Sequence, residues 1–157
     1  MNMTSKAVNL GLVQMKMEAD ASKNLAHALS LVQQAAKKGA DIVCLPELFT
    51  TAYFAQSEKK SEKGKKAVAY AEQIPGPTSA ALSSAAKKNK ITLVAGSIYE
   101  KDAKNKKLYN TSLVFAPDGK MMGTYRKTHI PHDQNFYEQD YFEKGDTGFG
   151  VFKAPAG

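Results

Sequence analysis

Glu47 follows Pro46 directly behind the apolar run Ile42-Val43-Cys44-Leu45. The carboxyl end of a buried strand is where α/β sheets bind ligands, and a carboxylate there is placed for general acid–base work. The same position also suits a carboxylate that caps the following turn, and spacing alone leaves both readings open. Lys127 stands at the end of a second strand-like segment, in Tyr125-Arg126-Lys127-Thr128. A lysine at a strand end offers a compact positive charge to a developing oxyanion. An exposed basic pair with Arg126 is the plainer alternative. Glu138 lies among Phe136, Tyr137, Tyr141 and Phe142. It is either a functional acid in an aromatic setting or a loop residue.

Other reactive types carry less. Cys44 is the only thiol, so no internal disulfide can form. Its apolar neighbours mark it as inert packing rather than a nucleophile. His129, His132 and Asp133 have the chemistry of metal ligands. Pro131 forbids a regular helix through them, and no second ligand cluster lies nearby, so no metal is expected. Gly145-Asp146-Thr147-Gly148-Phe149-Gly150 is rich in glycine but lacks the Gly-Lys-Ser/Thr of a phosphate loop, and reads as a turn. No cofactor is implied.

These residues need a scaffold. Val8 to Gln14 reads as a short buried strand. Asp20 or Ser22 can cap a helix whose apolar face is Leu25, Ala28, Leu29, Val32, Ala35 and Ala36, with Gly39 just beyond its end. Ile42 to Leu45 is a second buried strand. Strand, helix and strand in about forty residues is a βαβ signature and calls for parallel neighbours. Ser57 to Lys66 is a charged loop or a helix lead-in. Pro75-Gly76-Pro77 breaks the chain, and Thr78 then caps a helix to Lys90. Ile91 to Tyr99, Lys107 to Phe115 and Lys120 to Arg126 make an antiparallel meander, with a turn at Ala116-Pro117-Asp118-Gly119. Gly148 to Phe152 reads as the approach to one more strand. The class is α/β with a mixed sheet, whose unpaired edge invites another chain.

Composition narrows the partners. The chain has 157 residues, 43% hydrophobic and 24% charged, which suits one domain or part of a larger one. No apolar run approaches the ~18 residues of a membrane span, and Met1 to Lys6 contain no apolar signal core, so a cytoplasmic protein is expected. The net charge is +7, yet 21 lysines face the single Arg126. Base readout favours the arginine fork, so no nucleic-acid partner is expected and the lysines read as a solvated surface.

Taken together, Leu45-Pro46-Glu47-Leu48-Phe49 and Tyr125-Arg126-Lys127-Thr128-His129-Ile130-Pro131 resemble the nitrilase (carbon–nitrogen hydrolase) superfamily. Val13-Gln14, Ile74-Pro75-Gly76-Pro77-Thr78 and Asn110-Thr111-Ser112 agree in order and spacing. The resemblance spans residues 7–152. Thr51-Ala52-Tyr53-Phe54, Phe136-Tyr137-Glu138 and the run Tyr141 to Phe149 are similar to the N-carbamoylputrescine amidase branch, with β-ureidopropionases next.

The resemblance implies an incomplete α-β-β-α sandwich and a cysteine-dependent hydrolase of non-peptide C–N bonds. Glu47 would be its general base and Lys127 the cation beside the oxyanion. Glu138 would be a second glutamate that positions groups or shuttles protons, and Tyr53 and Phe54 would contact substrate. The implied substrate is a small carbamoyl or amide compound such as N-carbamoylputrescine, hydrolysed to amine, CO2 and ammonia.

One departure governs the rest. The family's nucleophile stands several tens of residues after the lysine, and this chain has no cysteine beyond Cys44. Residues 1–157 therefore resemble the N-terminal part of a single hydrolase domain that stops before the nucleophile. Two roles follow. One is half of an enzyme, either a fragment from a truncated or interrupted reading frame or one chain of a split enzyme, partnered by a C-terminal half chain or found in a homo-oligomer, although two copies cannot restore the thiol. The other is a non-catalytic binding or interaction module.

Overall fold

The computed structural model describes residues 7–155. The expectation attached to Met1–Lys6 lies outside the described residues.

The chain opens with the expected βαβ unit: β1 (Leu10–Leu12), α1 (Ala21–Lys37) and β2 (Ile42–Cys44). Asp20 starts α1. Its extended backbone leaves its carboxylate free to accept from the backbone N–H groups of Ser22 and Lys23, donors that no helical carbonyl reaches. Gly39 ends the turn at φ +91°, and its N–H donates to the Ala36 carbonyl at 2.9 Å. Glycine adopts that left-handed conformation without a Cβ clash. Asn24, Ala28 and Val32 form the buried stripe of α1 at four-residue spacing.

Ser61 caps α2 (Glu62–Ala67), which lies in the expected charged segment and extends one residue beyond it. The next helix is α3 (Pro77–Asn89). Sequence places its cap at Thr78, but the cap is Gly76, with Pro77 as the first helical residue. Proline fits there because its φ is already helical and its missing N–H would have had no partner. Glycine has no side chain to cap with, so the Glu72 carboxylate accepts the Thr78 N–H at 3.1 Å instead.

Strands β3 (Thr92–Lys101), β4 (Leu108–Phe115) and β5 (Met121–Arg126) complete a five-stranded sheet in the order β1-β2-β3-β4-β5. The first three are parallel and the last two join antiparallel, so the mixed sheet and the meander are both present. Val43, Leu93, Ala95, Leu113 and Phe115 alternate onto one face and bury against Val32 of α1 and Leu82 and Ala86 of α3.

The reading of Val8–Gln14 as a buried strand is corrected. The paired strand is only Leu10–Leu12, at the sheet edge, with Leu10 63% and Leu12 78% exposed. Period-two alternation sends Gly11 against Ala35 and Ala40 on the helix side and both leucines to the opposite face. Within β2, Val43 alone is buried, while Ile42 and Cys44 are partly exposed on that same open face.

Beyond β5 the chain forms a separate small hairpin, β6 (His132–Asp133) and β7 (Phe136–Tyr137), followed by a 3-10 turn over Glu138–Asp140. The segment from Gly148 to Phe152 forms no strand. Instead, the Phe152 ring lies over Gly123 of β5, where a side chain would have no room.

Candidate active site

Glu47 sits on the tight turn after β2. Gly96 of β3 lets that turn pass, because a Cβ on it would fall 2.1 Å from the Pro46 carbonyl oxygen. Leu48 is held at φ +48°, with its N–H donating to the Ser97 hydroxyl at 3.0 Å. A non-glycine residue in that region carries strain and persists where its surroundings fix it.

Lys127 directly follows β5. Its N–H donates to the Asn110 carbonyl at 2.8 Å, and its carbonyl accepts from Gly145 at 2.9 Å. Glu138 opens the 3-10 turn, and the Tyr137 N–H donates to Ala55 at 2.8 Å, which joins the hairpin to the loop after Glu47.

Eighty residues of sequence separate Glu47 from Lys127, yet the side chains meet. The Lys127 ammonium donates to Glu47 Oε1 at 2.9 Å and to Glu138 Oε2 at 2.8 Å. Asn110 Nδ2 also donates to Glu47 Oε1, at 2.7 Å. The Tyr53 hydroxyl donates to Glu138 Oε1 at 2.9 Å. The two carboxylates are therefore not equivalent. Glu138 is 2% exposed and has a donor on each oxygen. Glu47 is half-exposed, with two donors on Oε1 and none on Oε2 among the described residues.

Burial works against the Lys127 charge, but the hydrogen bonds to Glu138 and Glu47 outweigh it and hold the ammonium above the ordinary lysine value. Burial, then the Glu138 bond and charge, push the Tyr53 phenol far upward, so it serves as a donor. An ammonium has three N–H donors, and two are used here. Among the described residues, the site thus leaves one carboxylate oxygen and one ammonium proton without a partner, as a proton acceptor beside an oxyanion donor would.

Of the residues singled out in sequence, Glu47, Lys127, Glu138 and Tyr53 converge. Phe54 packs elsewhere, 5.0 Å from Tyr99 and 4.9 Å from Tyr141 between ring centres. Cys44 lies in β2, and burial raises its thiol, the opposite of an activated nucleophile. His129, His132 and Asp133 are exposed. Asn110 is the residue that sequence reasoning noticed only as part of a motif. Its signal was an amide inside a strand of otherwise core-forming residues, where a buried polar group needs a partner.

The family model described as carbon-nitrogen hydrolase matches residues 9–157. The chain is 41% identical over 155 residues to the omega-amidase NIT2 of Mus musculus, covering 93% of this chain and 50% of that protein. A carbon-nitrogen hydrolase from Helicobacter pylori G27 superposes with a TM-score of 0.84 at 34% identity, over 96% of this chain and 49% of that one. Saccharomyces cerevisiae Nit3 superposes with a TM-score of 0.71 at 30% identity, over 90% and 50%. The chain spans about half the length of the relatives it matches.

Proposed function

The chain belongs to the carbon–nitrogen hydrolase family, and on that premise we propose that it supplies the base and the cation of a cysteine-dependent amidohydrolase site. The observation that carries this reading is Lys127 held between Glu47 and Glu138, with one carboxylate oxygen and one N–H left without a partner among the described residues.

In the proposed reaction, Glu47 takes the proton of a thiol that lies outside these 157 residues. The thiolate forms a C–S bond at the amide carbon, and the π electrons move to oxygen beside the Lys127 ammonium. Glu47 returns the proton to the leaving nitrogen as the C–N bond breaks. It then takes a proton from water, which attacks the thioester carbon and releases the thiol. Glu138 is bonded at both oxygens, so it anchors Lys127 rather than shuttling protons.

The substrate class is a small carboxamide, in keeping with relatives named omega-amidases. An N-carbamoyl amine such as N-carbamoylputrescine is the second reading, favoured by Thr51-Ala52-Tyr53-Phe54 and Phe136-Tyr137-Glu138. The nucleophile would come from a polypeptide with the family's second half. A non-catalytic interaction module is the competing role.

The test mixes this chain with such a polypeptide and follows ammonia release from both substrate classes. The amidohydrolase reading expects turnover only in the mixture, reduced by about 10^2–10^4-fold in Glu47→Gln and strongly in Lys127→Ala. Association without turnover would favour the module.

A further inference from the structure

Arg126, the lone arginine of the sequence, takes no part in the site yet stands next to Lys127. Adjacent strand residues project to opposite faces. The cross-strand pairs follow this rule. Asn110 and Lys127 point together at Glu47. Thr111 and Arg126, paired in register, point the other way to Glu100.

There the guanidinium uses both edges. Nε donates to Glu100 Oε2 at 2.9 Å and Nη2 to Glu100 Oε1 at 2.5 Å. Nη2 also donates to Asp102 at 2.6 Å, and Nη1 to Asp146 at 3.0 Å. The guanidinium carbon lies 3.9 Å from the centre of the Tyr109 ring. Glu100 is 6% exposed and also accepts from the Thr111 hydroxyl.

β5 needs such a lock. No residue in it is fully buried, and its pairing with β4 shifts between Val114 and Phe115. A strand without a deep apolar anchor holds its register weakly, and a slip of one residue exchanges its faces. A slip here would turn Lys127 away from Glu47 and Glu138 and bring Arg126 toward them.

We propose that Arg126 is a positioning residue for the site: gripped by Glu100, Asp102 and Asp146, it fixes the register of β5 that aims Lys127 between Glu47 and Glu138. A lysine at 126 cannot substitute fully, because it lacks the planar fork that engages Glu100 with two nitrogens. Asp146 and Thr147, whose hydroxyl accepts the Arg126 N–H at 2.9 Å, extend the lock to the segment after the hairpin. The proposal goes beyond the amidohydrolase reading and does not depend on it.

The test labels the chain alone with an amine-acylating reagent near pH 8.5 and reads peptides by mass spectrometry. Exposed Lys120 is the internal reference. In the unaltered chain Lys127 should label at least about tenfold more slowly than Lys120, because its ammonium is charged and held. Arg126→Gln should raise the Lys127-to-Lys120 ratio at least about fivefold, and Arg126→Lys should fall between the two. All ratios are taken well below each variant's melting midpoint.

A brace that only stabilises the fold would lower the midpoint and leave the ratio unchanged, and that result overturns the proposal. Should Arg126→Gln not fold, Asp146→Asn decides. Its carboxylate is half-exposed, so the fold tolerates the change, and a ratio equal to the unaltered chain's would overturn the proposal equally.

Discussion

Lys127 and Asp102 make the charge network sensitive to pH at opposite ends. The Lys127 ammonium is raised above 10.5 in the fold, chiefly by Glu138 and Glu47 against the cost of burial. A raised value means stability that is full below 10.5 and lost as pH rises through the folded value. Asp102 is lowered from 3.8 to about 2 by the Asn105 N–H, then Arg126, then the Lys104 N–H. A lowered value means stability that is present above 3.8 and lost as pH falls toward 2. Urea midpoints measured from pH 2 to 11 should therefore fall at both ends. Asp102→Asn should flatten the acid limb between 3.8 and 2 and leave the alkaline limb in place. The residues behind these effects were unevenly legible in sequence. Glu47 and Lys127 announced themselves by standing at strand ends. Glu138 did so only through its aromatic neighbours, and for all three the residues alone left a plainer reading open that the family resemblance decided. Asn110 and Arg126 did not, because their roles depend on which face of β4 and β5 each residue takes, and that depends on register.

Elements succeed or fail here on close backbone approach. The βαβ unit and the meander were legible because their apolar periods of about four and of two are unambiguous. The cap of α3 was not, since glycine carries no capping side chain and Glu72, five residues before Pro77, supplies the acceptor. Gly96 is a similar case. Nothing in Leu93-Val94-Ala95-Gly96-Ser97 says that the Pro46 carbonyl crosses this point, 2.1 Å from where a Cβ would stand. The obstacle is backbone, so it cannot rotate aside. Gly96→Ala should cost about 1–3 kcal/mol or more through overpacking, read as a loss of denaturant midpoint at constant slope. The same substitution should displace the turn that carries Glu47. The melt and the labelling of Lys127 should therefore change together, unlike an ordinary core change distant from the site.

One face of the sheet is covered by helices, and the other is covered only at its β3–β4 end, by the cluster of Leu48, Tyr99, Tyr141 and Phe142, and lies open at β1 and β2. Parallel strands ordinarily bury both faces, since side chains on each alternate outward. Helices α1 and α3 cover Val43, Leu93 and Ala95. The other face carries Leu10 and Leu12, and near the chain's end Phe149 and Val151 are 77% and 97% exposed. The Leu10 and Leu12 backbone groups also face away from β2, because the bonds to β2 run through Asn9, Gly11 and Val13. An apolar strip beside an edge that is unpaired among the described residues favours association over a free monomer. The chain alone should therefore sediment as oligomers. Leu10→Lys with Leu12→Lys should shift it toward monomer without unfolding it, because neither side chain contributes to the core around Val32 and Leu93. If the proposed function holds, a polypeptide carrying the family's second half should compete for this same face. Adding it should convert the oligomers to a one-to-one complex, and the double lysine variant should lose both the complex and its turnover. A sharp cooperative melt from a monodisperse monomer of the unaltered chain would show that this face is stable in water and needs no covering partner.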